Sequence, residues 1–127
     1  MEMRTSDLTG PALDWAVELA LGTPWSDAGW FTFKNPYRYD KNPEWKYSTE
    51  WSIAGPIIEW EKITVEYDHD RVFDLDEVIE PWLASIPFKI MKDSTWDAYG
   101  PTPLIAAMRC FVVSKLGDEV GVPQYTL

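Results

Sequence analysis

Apolar residues recur at helical spacing near both ends of this chain. The first stretch predicts a helix over about 10–21, and Gly22 ends it. The second stretch predicts a helix over 103–116, because Thr102 is a good N-cap and Gly117 follows the last apolar residue. Both faces of this second helix are rather apolar, so we expect it to lie at the centre of the fold.

The middle of the chain has a weaker pattern. Apolar and polar residues alternate over 63–67, which predicts a half-buried strand. A helix is predicted through 77–86 that is short, kinked or begins at Pro81, and one or two further strands are predicted between 88 and 99. The tail, 118–127, is predicted to run extended along the surface. The fold class is therefore α+β: a single domain over 1–127, in which a small, mostly antiparallel sheet packs with two main helices and one shorter helix.

Proline and glycine mark breaks between these elements. Gly55 and Pro56 are predicted to open a new segment in which residues 57–61 form a helical turn. Two Asn-Pro steps indicate turns within 34–47, a segment that mixes aromatic rings with four cations and two carboxylates. Such a mixture can stack a base or sugar and hold a phosphate, although an ordered surface loop has the same composition.

Composition narrows the classes of function. The chain has 127 residues, 46% of them hydrophobic, and a net charge of −10. A protein this acidic is repelled by duplex DNA and by anionic lipid, so we expect neither as a partner. No apolar run approaches the roughly 18 residues of a membrane span, and the N-terminus lacks the apolar region of a secretory signal. The single cysteine cannot form an internal disulfide, which favours a reducing cytosolic compartment.

Aromatic residues are unusually frequent. Eight Trp, six Tyr and five Phe exceed what one small core needs, since one Trp can bury on the order of 200 Å². We therefore expect some of the rings to lie in a ligand pocket or in an interface, and a homo-oligomer is one way to cover them.

Arg109 is the unusual residue of the second helix, because it falls within an apolar arc. A guanidinium stays charged, and leaving it buried and unpaired costs several kcal/mol. Three explanations remain open: an ion pair with an internal carboxylate, an anionic ligand held by the guanidinium fork, or an arginine whose charged end extends to the surface. The candidate carboxylates are Asp14, Glu50, Glu59 and Asp97.

The sequence offers little support for catalysis. His69 is the single histidine and lies in an acidic turn, so neither a metal site nor a histidine-based catalytic group is expected. Cys110 lies in the middle of an apolar helix, where a thiol is usually inert. The chain has no glycine-rich phosphate loop. We predict a protein that is not an enzyme and that uses no cofactor.

Three stretches of the chain resemble a family of small phage proteins. They are LTGPALDWAVELALG at 8–22, YSTEWSIAGPIIE at 47–59 and GPTPLIAAMRCFVVSKLGDEVGVP at 100–123. On these residues the chain resembles the NinX-like family of bacteriophage and prophage proteins. The resemblance implies a phage origin, an accessory role and residence in the host bacterial cytoplasm, but no particular activity. It also leads us to expect an aspartate where this chain has Glu50.

Polar and Trp residues inside or beside these stretches are the candidates for a binding site, because apolar residues alone can maintain a fold. The predicted ligand-binding residues are Asp14, Trp15, Thr49, Glu50, Trp51, Trp96, Thr102 and Arg109.

Two functional hypotheses follow. The first is a binding module for a small anionic ligand such as a nucleotide, with a role in countering host defence. The second is an acidic inhibitor or adaptor that binds a host protein and mimics DNA by presenting the carboxylates of 59–80. A solvated surface is the plainer explanation of that acidic run.

Overall fold

The computed structural model describes residues 2–22, 46–72, 80–88, 93–122 and 124. Residues 34–45 of the predicted aromatic and cationic segment lie outside these ranges. In the described part the elements are β1 (Glu2–Arg4), a 3₁₀ turn (Thr5–Asp7), α1 (Gly10–Leu21), α2 (Trp51–Glu61), β2 (Thr64–Tyr67), α3 (His69–Val72), β3 (Trp82–Pro87), β4 (Thr95–Gly100), α4 (Pro103–Leu116) and β5 (Glu119–Gly121).

Helix α4 lies at the centre of the fold, as the apolar pattern predicts. Leu104 and all of 106–113 are buried. The helix begins where predicted, because the Thr102 hydroxyl accepts a hydrogen bond from the Ile105 N–H at 3.1 Å. It ends at Gly117, whose φ of 89° is a left-handed conformation that favours glycine.

Two antiparallel sheets surround this helix. One has the strand order β2-β3-β4 and the other pairs β1 with β5. In the larger sheet Val65, Ala84 and Ala98 lie side by side, and Ala84 and Ile86 are buried on the face toward α4. Helix α1 covers α4 from another side, through a stripe of buried residues that includes Ala12, Leu13, Ala16, Val17 and Ala20. The predicted α+β class is confirmed.

A glycine lets β4 approach α4 closely. A Cβ added at Gly100 would lie 2.5 Å from the Ala106 backbone nitrogen and 2.9 Å from the Ala106 Cα. Backbone atoms cannot move aside as a flexible side chain can, so this contact requires glycine.

Two predicted boundaries are wrong. Helix α2 begins at Trp51 and continues through Pro56, although proline was predicted to start a new segment. Pro56 is exposed, and the buried stripe of Ala54, Ile57 and Glu61 continues past it. Residues 82–87 form a strand and not the end of a helix, because pairing with both β2 and β4 outweighs the local helical pattern.

The C-terminal tail is extended over Glu119–Gly121, but part of its described segment is not on the surface. In β5, Val120 pairs with Met3 of β1. The side chains of Val120 and Val122 are buried in the core. The prediction of a surface tail is therefore wrong for these two residues, since the second sheet draws them inward.

Candidate functional site

Arg109 joins three separate parts of the chain. Its side chain is 2% exposed. Its Nε donates to the Leu8 carbonyl oxygen at 2.8 Å, and its Nη1 donates to the Tyr99 carbonyl oxygen at 2.9 Å. Nη1 also donates to Glu80 Oε1 at 2.8 Å, which makes an ion pair with a carboxylate that is 31% exposed. The guanidinium thus ties α4 to the start of α1, to β4 and to the residue before β3.

The prediction that an internal carboxylate pairs with Arg109 is confirmed, but the residues proposed for it are wrong. The partner is Glu80. Asp14 accepts a hydrogen bond from the Ser48 N–H at 2.9 Å instead. The other three proposed partners have exposed side chains: Glu50, Glu59 and Asp97.

Nothing in the sequence spacing points to Glu80. It lies 29 residues from Arg109 along the chain. The helix predicted through 77–86 does not indicate that the Glu80 side chain points toward the core. The strand that follows Glu80 brings it to the end of the sheet nearest Arg109. A signal able to find this pair is correlated substitution of the two positions among relatives.

Three of the five guanidinium N–H groups are engaged inside the protein. Nε contributes one and Nη1 contributes two. Nη2 has no hydrogen-bond partner among the described residues. A bidentate grip on a carboxylate or phosphate needs two free donors on the same side of the fork. Because Nε and Nη1 are engaged, neither side offers such a pair.

A cavity of about 300 Å³ opens beside Arg109, between the edge of β4 and the 3₁₀ turn. This volume is at the lower end of the range typical of ligand pockets. Two arginines and three carboxylates line it, and Glu80 already neutralises one of the arginines. The cavity therefore carries an excess of negative charge. Its lining residues are Arg4, Thr5, Ser6, Asp97, Ala98, Arg109, Val113, Asp118 and Glu119.

Asp97 is held in place at the wall of this cavity. Its Oδ1 accepts hydrogen bonds from the hydroxyls of Ser85 at 2.8 Å and of Thr95 at 2.7 Å. Both donors come from the same face of the sheet as Asp97. The carboxylate is thereby oriented on an exposed surface, and Oδ2 has no hydrogen-bond partner in the described part of the chain.

Cys110 lies beneath the same strand and is not exposed to reagents. Burial, together with the charge of Asp97, raises the pKa of the thiol to about 12. Its sulfur contacts the Trp96 carbonyl oxygen at 3.0 Å. A thiol with such a pKa is protonated at neutral pH, and protonated thiols are poor nucleophiles.

A second polar cluster attaches the segment 46–50 to α1. The Tyr47 hydroxyl donates to Glu18 Oε1 at 3.1 Å, one turn along α1 from the bond between Asp14 and Ser48. Burial raises the pKa of Asp14, although the hydrogen bonds from Ser48 and the charge of Lys46 act in the opposite direction. Burial and Glu18 also raise the pKa of Tyr47 above its usual value. This cluster fixes the chain as it enters α2.

Of the eight predicted site residues, Arg109 lines the acidic cavity and the other seven lie elsewhere in the described part of the chain. Their role in binding stays a prediction. Asp14 and the half-buried Trp15 lie on α1. Thr49 and Glu50 end the segment attached to α1, and Trp51 is the first residue of α2; all three are exposed. Trp96 of β4 and Thr102, the N-cap of α4, are also exposed.

The described Trp residues do not form one aromatic surface on α2. Trp51 is 57% exposed and Trp60 is 50% exposed. They are nine residues apart, which places them on opposite flanks of a helix with 3.6 residues per turn. The prediction of a homo-oligomer stays a prediction.

The acidic run 59–80 is not a uniform surface. Glu61 is buried and lies 3.2 Å from the Lys115 ammonium, a contact without hydrogen-bond geometry. Glu80 is the partner of Arg109. In the described part of the run, Glu59, Glu66 and Asp70 are exposed. Two of the acidic residues are therefore internal counter-ions, and this weakens the case for a continuous DNA-like face.

Within the described ranges, no three His, Cys, Asp or Glu side chains come together in a group that could hold a metal ion. None of the helices in these ranges has the length and apolar character needed to cross a membrane.

Comparison with known families identifies the chain. The family model described as "Bacteriophage P22, NinX" matches residues 4–115. The chain belongs to the NinX family. It is a phage accessory protein, and the predicted resemblance is confirmed. A search of curated proteins found no match.

The NinX match covers most of the cavity and all of the Arg109 cluster. Leu8, Glu80, Tyr99 and Arg109 all lie within residues 4–115. Asp118 and Glu119, two of the three carboxylates that line the cavity, lie beyond the matched range. The Arg109 cluster thus lies inside the matched range, whereas two carboxylates of the cavity come from the segment after it.

Proposed function

We propose that this NinX-family protein is a non-enzymatic accessory module that binds a basic segment of a host protein in the host cytoplasm. The observation that carries the proposal is the charge of the cavity beside Arg109. Asp97, Asp118 and Glu119 line it together with one cation that Glu80 does not balance, Arg4, because Glu80 pairs with Arg109. A cationic side chain fits such a site better than an anion, because opposite charges guide association and like charges oppose it.

The anionic-ligand hypothesis receives less support from the same geometry. The guanidinium has no free pair of donors on either side of its fork, and the three carboxylates of the cavity repel a phosphate. A nucleotide-binding module is the alternative function, and the titration below distinguishes it.

Isothermal titration of the protein tests the proposal. The probe is an acetylated, amidated hexapeptide of alternating lysine and threonine, and inorganic phosphate and adenosine nucleotides are titrated in parallel. We expect the peptide to bind and the phosphate compounds not to. Binding of phosphate or nucleotide without binding of the peptide would support the alternative and contradict the proposal.

A pair of charge-matched variants locates the binding. Asp118→Asn/Glu119→Gln removes two carboxylates from the cavity, and Glu59→Gln/Glu66→Gln removes two exposed carboxylates elsewhere. Two lost charge contacts correspond to roughly a tenfold weaker Kd. We expect that loss for the cavity variant and a much smaller one for the control. Equal weakening in both variants would show that only the overall charge matters.

A further inference from the structure

The outer edge of β4 has backbone groups that face away from β3. In an antiparallel pair every second residue directs both its N–H and its C=O toward the neighbouring strand. The Phe88 N–H donates to the Ser94 carbonyl oxygen at 2.9 Å, which fixes this alternation at the end of the β3–β4 ladder. The register then directs the backbone groups of Thr95 and Asp97 toward the other side of β4.

No strand pairs with that edge in the part of the chain that the structure describes. The larger sheet ends at β4, and both Thr95 and Asp97 are exposed. An open strand edge of this kind is a template for another extended chain. Proteins often recognise peptides in this way, with main-chain hydrogen bonds giving affinity and side-chain sites giving specificity.

The acidic cavity lies along this edge. Thr5 and Ser6 of the 3₁₀ turn form its opposite wall, and Arg109 and Val113 of α4 contribute on the helix side. Arg109 Nη2, which has no hydrogen-bond partner among the described residues, is a donor for a carbonyl oxygen. The site therefore offers backbone groups, one guanidinium donor and carboxylates within the same groove.

We propose that a basic, extended segment of a partner protein adds to the edge of β4 as a further strand. Its backbone pairs with Thr95 and Asp97, and a lysine or arginine side chain reaches Asp118 and Glu119. About 7 Å separates Thr95 from Asp97 along a strand that rises 3.3 Å per residue, so three to four residues of the segment cover this edge. The inference rests on the proposed function and adds the mode of recognition to it.

Charge complementarity selects this occupant over others. A neutral strand would leave the excess negative charge of the cavity, three carboxylates against the guanidinium of Arg4, without a counter-ion, and an acidic strand would be repelled. A nucleotide cannot pair with the strand edge in this way. A basic extended peptide satisfies both the backbone groups and the charge.

Amide hydrogen exchange followed by NMR tests the proposal with two probes. The first is the lysine–threonine hexapeptide, and the second is the same peptide N-methylated at all six peptide nitrogens. The methylated peptide keeps the charge but has no backbone N–H donor other than its C-terminal amide. We expect the first peptide to slow exchange of the Thr95 and Asp97 amides at least tenfold. The Ala98 amide, which already faces β3, is the internal reference and should change little.

The outcomes separate strand addition from charge attraction. Binding of the first peptide with protection of both amides, and loss of binding on methylation, supports strand addition. Equal binding of both peptides without protection overturns strand addition but leaves the proposed function standing. Failure of both peptides to bind contradicts the proposed function and the mode of recognition together.

Discussion

Two neighbouring regions of this molecule differ in whether their polar groups have partners inside the protein. At Arg109 three N–H groups of one buried guanidinium are engaged by Leu8, Tyr99 and Glu80. At the edge of β4 the backbone of Asp97 and the nearby carboxylates face a cavity. Buried polar groups that find partners inside stabilise a fold, whereas exposed groups without partners are available to a ligand. Arg109 is a buried group whose partners lie inside the protein, and the site proposed for binding lies beside it.

Removing the guanidinium should have the largest effect on stability. Arg109→Met has a similar volume, but it leaves the Leu8 and Tyr99 carbonyl oxygens and the Glu80 carboxylate without their donor. Breaking a buried ion pair from one side costs about 3–5 kcal/mol, and the partial exposure of Glu80 places the expected loss near the lower end. Urea unfolding followed by circular dichroism measures it.

The partner variant sharpens this result. In Glu80→Gln the amide oxygen can still accept from Nη1, and both carbonyl contacts of Arg109 remain. We expect a loss of about 1 kcal/mol, because Glu80 is partly solvated and its ion pair is screened. If Arg109→Met were no more harmful than Glu80→Gln, Arg109 would not be the structural centre described above.

Both regions depend on the close packing of β4 against α4, because the Arg109 contact with Tyr99 and the cavity both lie between these two elements. Gly100→Ala places a methyl group 2.5 Å from the Ala106 backbone nitrogen, so strand and helix must move apart. Overpacking of this kind costs about 1–3 kcal/mol, and it should also weaken peptide binding at the cavity.

A second glycine provides the control for that substitution. Gly55 lies within α2, and no atom outside its chain neighbours and its own helix backbone lies within 4 Å of an added Cβ. Pro56 follows Gly55, however, and a residue with a Cβ is disfavoured in a helix directly before a proline. This opposes the roughly 1 kcal/mol by which a helix favours alanine over glycine, so Gly55→Ala should change the stability by less than about 1 kcal/mol. Thermal unfolding compares the two variants, and similar effects from both would contradict the role given to Gly100.

Loss of the N-cap of α4 tests whether a less stable helix alone changes peptide binding. Thr102→Ala removes the hydrogen bond to the Ile105 N–H, which should cost about 1 kcal/mol. Thr102 does not line the cavity, so the Kd for the peptide should be unchanged. A weaker peptide affinity in a folded Thr102→Ala protein would argue that the binding region extends to the start of α4.

Substitution of Asp14 should have the smallest effect on stability. Its carboxyl group is partly buried and accepts a hydrogen bond from the Ser48 N–H, without an ion pair to any other residue that the structure describes. Burial raises its pKa above the ordinary value of 3.8. The folded protein therefore holds this proton more tightly than the unfolded chain does, and the contribution of Asp14 to stability falls as pH rises through the two pKa values. Asp14→Asn keeps an oxygen for the Ser48 N–H, so the stability of this variant relative to wild type should increase with pH above about 4. Unfolding measured between pH 4 and 7 checks this, and a difference independent of pH would contradict it.

Local signals predict the two main helices well. Helices α1 and α4 match their predicted bounds because caps, prolines and apolar spacing all agree there. The signals fail where tertiary contacts decide the structure. Pro56 costs α2 one hydrogen bond near its start, yet the buried face of the helix continues. The segment 82–87 has no clear strand pattern because it is the middle strand, and its pairing partners lie at 64–67 and 95–100.

Only part of the candidate site could be predicted from the sequence. Arg109 is identifiable because a permanent charge within an apolar arc requires a partner. The identity of Glu80 is not, since the contact depends on the path of a strand. The cavity is harder still to predict, because Thr5, Asp97 and Asp118 come together only when both sheets have packed against α4.

The most direct test of the central claim is the behaviour of the Arg109 Nε–H in the ¹⁵N NMR spectrum. If the guanidinium is committed to internal acceptors, this proton exchanges slowly with water, and neither its shift nor its exchange changes when millimolar phosphate or nucleotide is added. The exposed Arg4 serves as the reference, with a rapidly exchanging Nε–H. Rapid exchange at Arg109, or a shift that saturates with phosphate, would contradict the account and restore Arg109 as an anion site.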